Sequence, residues 1–385
     1  MRRRIFGRDH EDFRGTADAF FRRERENLDT WTSEGRVDRG FFERAGELGL
    51  LGLRVPEEYG GSDAGTYTFN VVLSEAAAAA NVSLVGLRVH AEVVLPYLLK
   101  YGTPEQRARW VPAMVAGTTV GAIAMSEADT GSDLAGIATR AARNADGDFV
   151  LSGAKTFITN GTNADLVVVV ARTGSGGDRR AGLSLLVVED GMPGFTRGNP
   201  VGKLGLKYSD TAELSFDDVV VPGGNLLGEE GRGFEYLTSN LPQERISIAV
   251  GAIAMSQAAL RRTIEYARDR QLFGTSLASL QNTRFVLAEV AAEIETAQQA
   301  LDNAVVELDE GTLSPEDAAK IKLVATEVQA RTVDKCLQVH GGYGYMTEYD
   351  IAAMYADARV TRIYGGSSEV MKVIISRSLG LGASR

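Results

Sequence analysis

Side chains able to do chemistry are unevenly provided in this 385-residue chain. There is one cysteine, Cys336, and there are three histidines, His10, His90 and His340. An internal disulfide is therefore impossible, and the Cys/His clusters that hold structural metals cannot be assembled. Redox chemistry would have to come from a bound organic cofactor, and the cysteine usage suits a reducing cytoplasm. The polar residues collect in short stretches. Residues 124–133 (AMSEADTGSD) are rich in turn formers. Residues 270–274 (RQLFG) read as a helix end with a basic last turn and a glycine stop. Residues 338–345 (QVHGGYGY) read as a tight turn. Glu244 follows Pro242 at what reads as a helix start, where an acid gains roughly 0.3–1 kcal/mol from the dipole.

The elements that must position these stretches fall into three zones: residues 1–117, 118–228 and 229–385. The first reads as helical. Ala17, Phe20 and Phe21 recur at helical spacing, as do Phe41, Phe42, Ala45 and Leu48. Residues 50–61 form a Gly/Pro-punctuated loop, 74–80 are alanine-rich and helical, and Thr103-Pro104 pairs a cap with a first-turn proline. In the second zone the period changes. Residues 118–126 and 183–188 are apolar, 164–172 (ADLVVVVAR) are β-branched and too short for a helix, and 213–221 begin by alternating. Turn-rich pieces at 144–147 and 174–177 separate them, which predicts an antiparallel β domain. The third zone is helical again. One segment covers 242–270. Leu287, Val290, Ile294, Ala297, Leu301, Val305 and Leu308 form a stripe, and Ser314-Pro315 opens a further helix. These lengths suit a four-helix bundle with apolar faces left for subunit contacts. The overall expectation is an α+β chain of helical, β and helical zones.

A net charge of −10 argues against nucleic acid as a partner. From residue 229 onward, 16 Lys and Arg stand against 21 Asp and Glu, a net of −5. No apolar run approaches the roughly 20 residues needed to cross a bilayer. The basic residues 1–4 are followed by Asp9, Glu11 and Asp12 rather than by an apolar segment, so no secretory or transit signal is expected.

The ordered set of stretches resembles the signatures of the acyl-CoA dehydrogenase family, from residue 123 to 377. Residues 124–133 resemble its flavin and substrate loop, with Ser-Glu-Ala at 126–128 where the common form has Thr-Glu-Pro. The resemblance implies that Met125, Ser126, Gly131 and Ser132 contact FAD, with Ser132 also near substrate. Phe157-Ile158-Thr159 fall where an aromatic and a hydroxyl residue lie against the isoalloxazine. Arg270, Phe273 and Gln281 resemble the elements that reach the diphosphate and adenine of a flavin in a neighbouring subunit. Gln338, Gly341 and Gly342 resemble the Gly-rich diphosphate loop. Ser367, Ser368 and Glu369 resemble the last signature, which touches the flavin nucleotide.

In many family members the catalytic glutamate follows the tyrosine of that last signature. Here Gly365 stands there. Leu241-Pro242-Gln243-Glu244-Arg245 instead resembles the long-chain and isovaleryl subgroups, whose base sits at this helix start and whose later position is glycine. The resemblance thus implies Glu244 as base, Glu369 as fallback, and Gly365 as the backbone N–H donor to the thioester oxygen. Arg245 would orient the thioester or the base. The implied reaction is FAD-dependent α,β-dehydrogenation of an acyl-CoA thioester in fatty acid metabolism, with electrons passing to an electron-transfer flavoprotein, by a homotetramer or homodimer. Dehydrogenation of a carrier-protein-bound acyl chain is the alternative. An acyl-CoA oxidase, which usually carries a further C-terminal domain, and a DNA-binding flavoprotein stand behind it.

Overall fold

The computed structural model describes residues 1–174 and 179–381. The turn-rich piece expected at 174–177 therefore lies largely outside the described residues. The chain opens with helices α1 (Arg8–Glu24), α2 (Leu28–Glu34), α3 (Arg39–Glu47), α4 (Thr68–Ala80), α5 (Val85–Arg88), α6 (Leu95–Tyr101) and α7 (Pro104–Val115). Phe20, Phe21, Trp31, Phe41 and Phe42 bury together in their core, whereas Leu48 is 47% exposed. Between α5 and α6, Val89–Val94 winds as a π-helix, a wide turn that shifts the helix face presented to its neighbours. Thr103 accepts from the Gln106 N–H and donates its own N–H to the Gln106 side chain, a reciprocal capping box. The same Gln106 amide donates to the carbonyls of Gly224 and Leu226 at 2.8 Å, tying α7 to the sheet.

The second zone contains strands β1 (Gly121–Ala124), β2 (Arg140–Arg143), β3 (Phe149–Thr159), β4 (Leu166–Arg172), β5 (Leu183–Glu189), β6 (Phe195–Arg197), β7 (Thr211–Val221) and β8 (Leu226–Leu227). They form one sheet in the order β6-β7-β3-β2-β4-β5-β8, with β1 pairing β4. Most pairs are antiparallel, as expected, with two parallel exceptions. β1 runs parallel to β4, and β2 meets β4 in parallel at Arg140↔Arg172. Turn-linked neighbours must be antiparallel, whereas β1 and β4 are joined through a long excursion that places no such limit on them. β4 is buried on both faces, which explains its unbroken apolar run.

The third zone holds α8 (Gly233–Asp269), the short hairpin β9 (Gln271–Leu272) and β10 (Thr275–Ser276), α9 (Gln281–Asp309), α10 (Pro315–His340), α11 (Asp350–Ala358) and α12 (Ser368–Ser378). α8, α9 and α10 pack through Ile246, Ala249, Val250, Ile253, Val290, Ile294, Leu301, Val305 and Val328. α12 lies along α10 as a shorter fourth helix. Ser314 caps α10 by accepting from the Asp317 N–H at 3.0 Å. Two expectations are corrected here. α8 begins at Gly233, so Pro242 is inside the helix and Glu244 is not in its first turn. An interior proline removes one intrahelical bond, a local cost that the packed flanks outweigh. α8 does end here, at Asp269 with Arg270 as C-cap, but Gly274 is not its stop: Phe273 and Gly274, at φ 51° and 76°, form the turn of the hairpin that follows. Two successive positive φ values are what a two-residue turn with right-handed strand twist requires.

Among the described residues no helix is long and apolar enough to cross a membrane, and no group of three or more His, Cys, Asp or Glu could hold a metal ion. Replacing Thr103 by Ala removes one half of the capping box and should lower stability by about 1 kcal/mol, read as a lower denaturation midpoint.

Candidate active site

Glu244 is in the interior of α8 and 9% exposed. The phenol of Tyr97, from α6, donates to its Oε1 at 3.3 Å. Burial pushes the Glu244 carboxyl up to about 7, against the opposing pulls of the Tyr97 hydroxyl and the nearby Arg245 charge. Its neighbours pin the helix here. Gln243 donates to the Glu92 carbonyl at 3.0 Å and accepts from Arg54 at 3.2 Å. Arg245, next along the helix and 5% exposed, leans instead toward the start of α10, with Nη1 3.5 Å from the Pro315 carbonyl. Its Nε is buried without a hydrogen-bond partner, a donor free for a ligand.

Gly365 approaches the same stripe of α8. A Cβ built on it would lie 2.2 Å from Cδ1 of Ile248, and Ile248 is one turn beyond Glu244 on the same face. Gly365 and Gly366 have φ of 61° and 91°, a region that L side chains rarely adopt. A side chain at 365 would thus meet backbone strain and would also displace the tip of Ile248, while Glu244 stands one turn before Ile248 on α8. Lys322, fully buried, donates from Nζ to the Gly366 carbonyl at 2.8 Å and holds this loop. Burial, and then the Arg245 charge, lower the Lys322 ammonium to about 8. Ser367 caps α12 by accepting from the Val370 N–H, Ser368 donates to Glu327, and Glu369 is exposed in the first turn. The fallback carboxylate therefore stands in water, away from the buried face that carries Glu244.

The loop of residues 125–132 is held by a buried ion pair. Lys155 on β3, 1% exposed, donates to the Met125 carbonyl at 3.0 Å and to Glu127 at 2.8 Å. Glu127 also accepts from the N–H groups of Ala138 and Thr139 and from the Thr139 hydroxyl. Burial opposes its ionisation, but Lys155 and these donors win and hold the carboxyl at about 2. The Glu127 and Thr130 backbones pair across a tight turn, which leaves Gly131 and Ser132 exposed. Ser126 accepts from the Thr156 N–H at 2.9 Å through its carbonyl. β3 then breaks register between Lys155 and Ile158, and Phe157, at φ 58°, turns out to 70% exposure. Thr159 resumes the strand, half-buried opposite Thr211. Ser126, Phe157 and Thr159 thus cluster along one register-broken strand and the loop hydrogen-bonded to it. Met125 packs against the core that also contains Tyr97.

A third group lies elsewhere. Arg270, Leu272, Leu277, Val339, His340, Gly341, Gly342, Tyr343 and Met346 line a cleft of about 500 Å³. The Arg270 guanidinium sits 5.4 Å from the Tyr343 ring centroid. A Cβ on Gly341 or Gly342 would meet nothing within 4 Å, so the backbone there faces open space. Phe273, at the hairpin tip, is 91% exposed. Gln281 and Gln338 are exposed at the start of α9 and near the end of α10. Guanidinium, open glycine backbone and apolar walls fit a dinucleotide diphosphate and its base. Arg270 caps the end of α8, 26 residues beyond Glu244 and about 39 Å along the helix. The structure therefore brings the predicted residues into three groups and does not bring the cleft to Glu244.

Sequence reasoning missed Tyr97, Ile248, Lys155 and Lys322. Tyr97 is hidden in an apolar run (LPYLLKY), and Ile248 reads as ordinary core. Lys155, a lysine in an otherwise strand-like stretch two residues before Phe157, was the one visible signal.

Two outcomes follow from this geometry. Gly365→Ala should destabilise the protein by more than the roughly 1–2 kcal/mol of left-handed strain, and Ile248→Ala in the same chain should restore part of the loss, read by thermal unfolding of both variants. Lys155→Met leaves the Glu127 carboxylate buried without its cation and should cost about 3 kcal/mol, read as a lower denaturation midpoint.

Profiles of the acyl-CoA dehydrogenase N-terminal, middle and C-terminal domains match residues 7–118, 122–219 and 231–380. The long-chain specific acyl-CoA dehydrogenase of Rattus norvegicus mitochondria is 42% identical over 379 residues, 98% of this chain and 88% of that protein. The crystal structure of an acyl-CoA dehydrogenase from Geobacillus kaustophilus superposes with a TM-score of 0.96 at 41% identity, covering 99% of this chain and all of the other. An acyl-CoA dehydrogenase from Bacillus anthracis complexed with FAD gives 0.91 at 29% identity, covering 97% of this chain and 68% of that one. Matching over nearly its whole length and carrying all three domains in order, the chain belongs to the acyl-CoA dehydrogenase family.

Proposed function

We propose that this protein is an FAD-dependent acyl-CoA dehydrogenase in which Glu244 removes the α proton of the acyl thioester. The observation that carries the reading is the pair Glu244 and Gly365. One is a buried carboxyl raised to about 7, and the other is a glycine whose missing side chain is replaced by Ile248. A base with a pKa near the working pH is ionised often enough to act and basic enough to pull.

FAD, when bound, supplies the oxidant that takes the β hydrogen with its electron pair. The chain's own residues do the rest. Glu244 accepts the α proton as that C–H bond breaks, and the electron pair left on the α carbon delocalises toward the thioester oxygen. The Gly365 N–H, on a loop held by Lys322, is the donor proposed for that oxygen, and a donor fixed before the reaction stabilises charge without reorganising. Removing the β hydrogen then leaves the trans-2-enoyl thioester. Ser126, Phe157 and Thr159, set by the Lys155–Glu127 pair, form the proposed seat of the flavin ring. Met125 backs it, and Gly131 and Ser132 border it where the thioester enters. Arg245, with its free buried Nε, is placed to meet the polar part of the thioester.

The cleft at Arg270, with Phe273, Gln281, Gln338, Gly341 and Gly342, is assigned to the diphosphate and adenine of a flavin seated in a second copy of the chain. Its distance from Glu244 and the near-complete exposure of Phe273 support an assembly, a homodimer or homotetramer. Electrons leave to an electron-transfer flavoprotein. The buried free thiol of Cys336 is compatible with a reducing compartment, which we take to be the cytoplasm.

Glu244→Gln tests the reading. A yellow protein with full flavin content and turnover of acyl-CoA thioesters reduced by several orders of magnitude is expected. Near-parental rates with a dye acceptor would end the assignment. In the parent, kcat/KM should rise with pH through about 7, because only the ionised carboxylate accepts a proton.

A further inference from the structure

We propose that Tyr97 is a positioning residue for the base, its hydroxyl holding Oε1 of Glu244 so that Oε2 is presented to the substrate's α carbon. This rests on the reading of Glu244 as the base. Three observations carry it. The phenol is the hydrogen-bond donor to Glu244 among the described residues, at 3.3 Å, and it reaches Oε1 only. Both side chains are buried, Tyr97 completely, so water does not substitute for this bond. The ring is locked in place. Tyr97 lies in the core with Leu95, Leu98, Tyr236 and Leu237, and Tyr101 is 6.0 Å away between centroids and stacks in turn on Tyr236.

A carboxylate has two oxygens and free rotation about its last bond. With one oxygen tied to a fixed phenol, the carboxylate plane is set and the other oxygen becomes the proton acceptor. The tie also acts on the charge. A hydroxyl donating to a carboxylate stabilises the ionised form and lowers its pKa, so it offsets part of the penalty that burial imposes. The charged and titratable groups facing Glu244 are Tyr97 from α6 and Arg245 from its own helix. Tyr97 is faced by Glu244, by Tyr101 and by the Asn240 side chain one turn earlier on α8. Ile248, one turn further along α8, carries no titratable group and lies against Gly365.

Without the phenol, Glu244 would be harder to ionise yet chemically intact. Tyr97→Phe keeps the ring and its packing. The expected result is an acid limb of the kcat/KM profile moved up by about one pH unit. The rate at pH 6 should fall by at least tenfold, and the plateau above pH 9 should stay below the parent's because Oε2 is no longer held toward the α carbon. An unmoved limb, or an equal loss at every pH, overturns the proposal. Should Tyr97→Phe fail to hold flavin, 3-fluorotyrosine at position 97 is the second test. It has nearly the same shape and is a stronger donor, so the limb should move down; no movement overturns the idea. Glu244→Gln, run beside both, separates the two failures. If it retains turnover, the base assignment is wrong. If it is dead while the Tyr97 variants leave the limb in place, only the role of Tyr97 is lost.

Discussion

Glu244 carries a charge that its surroundings resist, and the site is arranged around that conflict. Transfer of a carboxylate from water into a packed helix seam is costly unless the charge is met by donors or neutralised by a proton. Here one phenol and one neighbouring arginine meet it in part, and the balance leaves the group near neutrality in pKa. A fully solvated glutamate would be ionised but a feeble base, and a fully unpartnered one would stay protonated. α8 supplies the position and α6 the partner, so the chemistry depends on how two helices far apart in sequence are docked.

That docking is itself held by polar contacts at the edges of apolar cores. Gln243 reaches the Glu92 carbonyl across the seam, and Gln106 reaches two carbonyls of the sheet. Lys155 and Glu127 do the same inside the sheet domain, where a charged pair fixes a loop that apolar packing alone would leave loosely defined. A buried pair of this kind adds little net stability compared with apolar residues of the same size, but loss of either partner is severe. Its contribution here is placement: the Met125 and Ser126 backbone, and the outward turn of Phe157 two residues beyond Lys155.

The two glycines at 365 and 366 express a steric exchange. Ile248 occupies the volume that a side chain at 365 would need, and a backbone at φ 61° favours no side chain at all. A side chain on that loop and the isoleucine on α8 compete for the same space. With the loop reduced to backbone, Lys322 can close on the Gly366 carbonyl and fix the direction of the peptide groups around it.

Much of this was legible in the sequence, and the rest was not for identifiable reasons. Helix periodicity and caps placed α3, α7 and α10, because local spacing and a Ser or Thr cap act over a few residues. The β-branched run at 164–172 announced a buried strand, and the glycine-rich stretches marked where backbone faces open space. The start of α8 was misplaced at Pro242, since the extra turns before it are stabilised by packing that no local pattern displays. The hairpin at Phe273 was missed because it needs an aromatic residue at positive φ, against local preference. By itself the sequence determined which residues can donate, accept or vanish: Glu244, Gly365, Arg270, Gly341. Only the tertiary structure decided that Tyr97, 147 residues earlier, donates to Glu244, that Ile248 fills the space at Gly365, and that the Arg270 cleft forms at the C-terminal end of α8, well beyond Glu244. A hydrogen bond, a clash and a distance belong to pairs of residues brought together by folding, and such pairs leave no mark on either partner's local sequence.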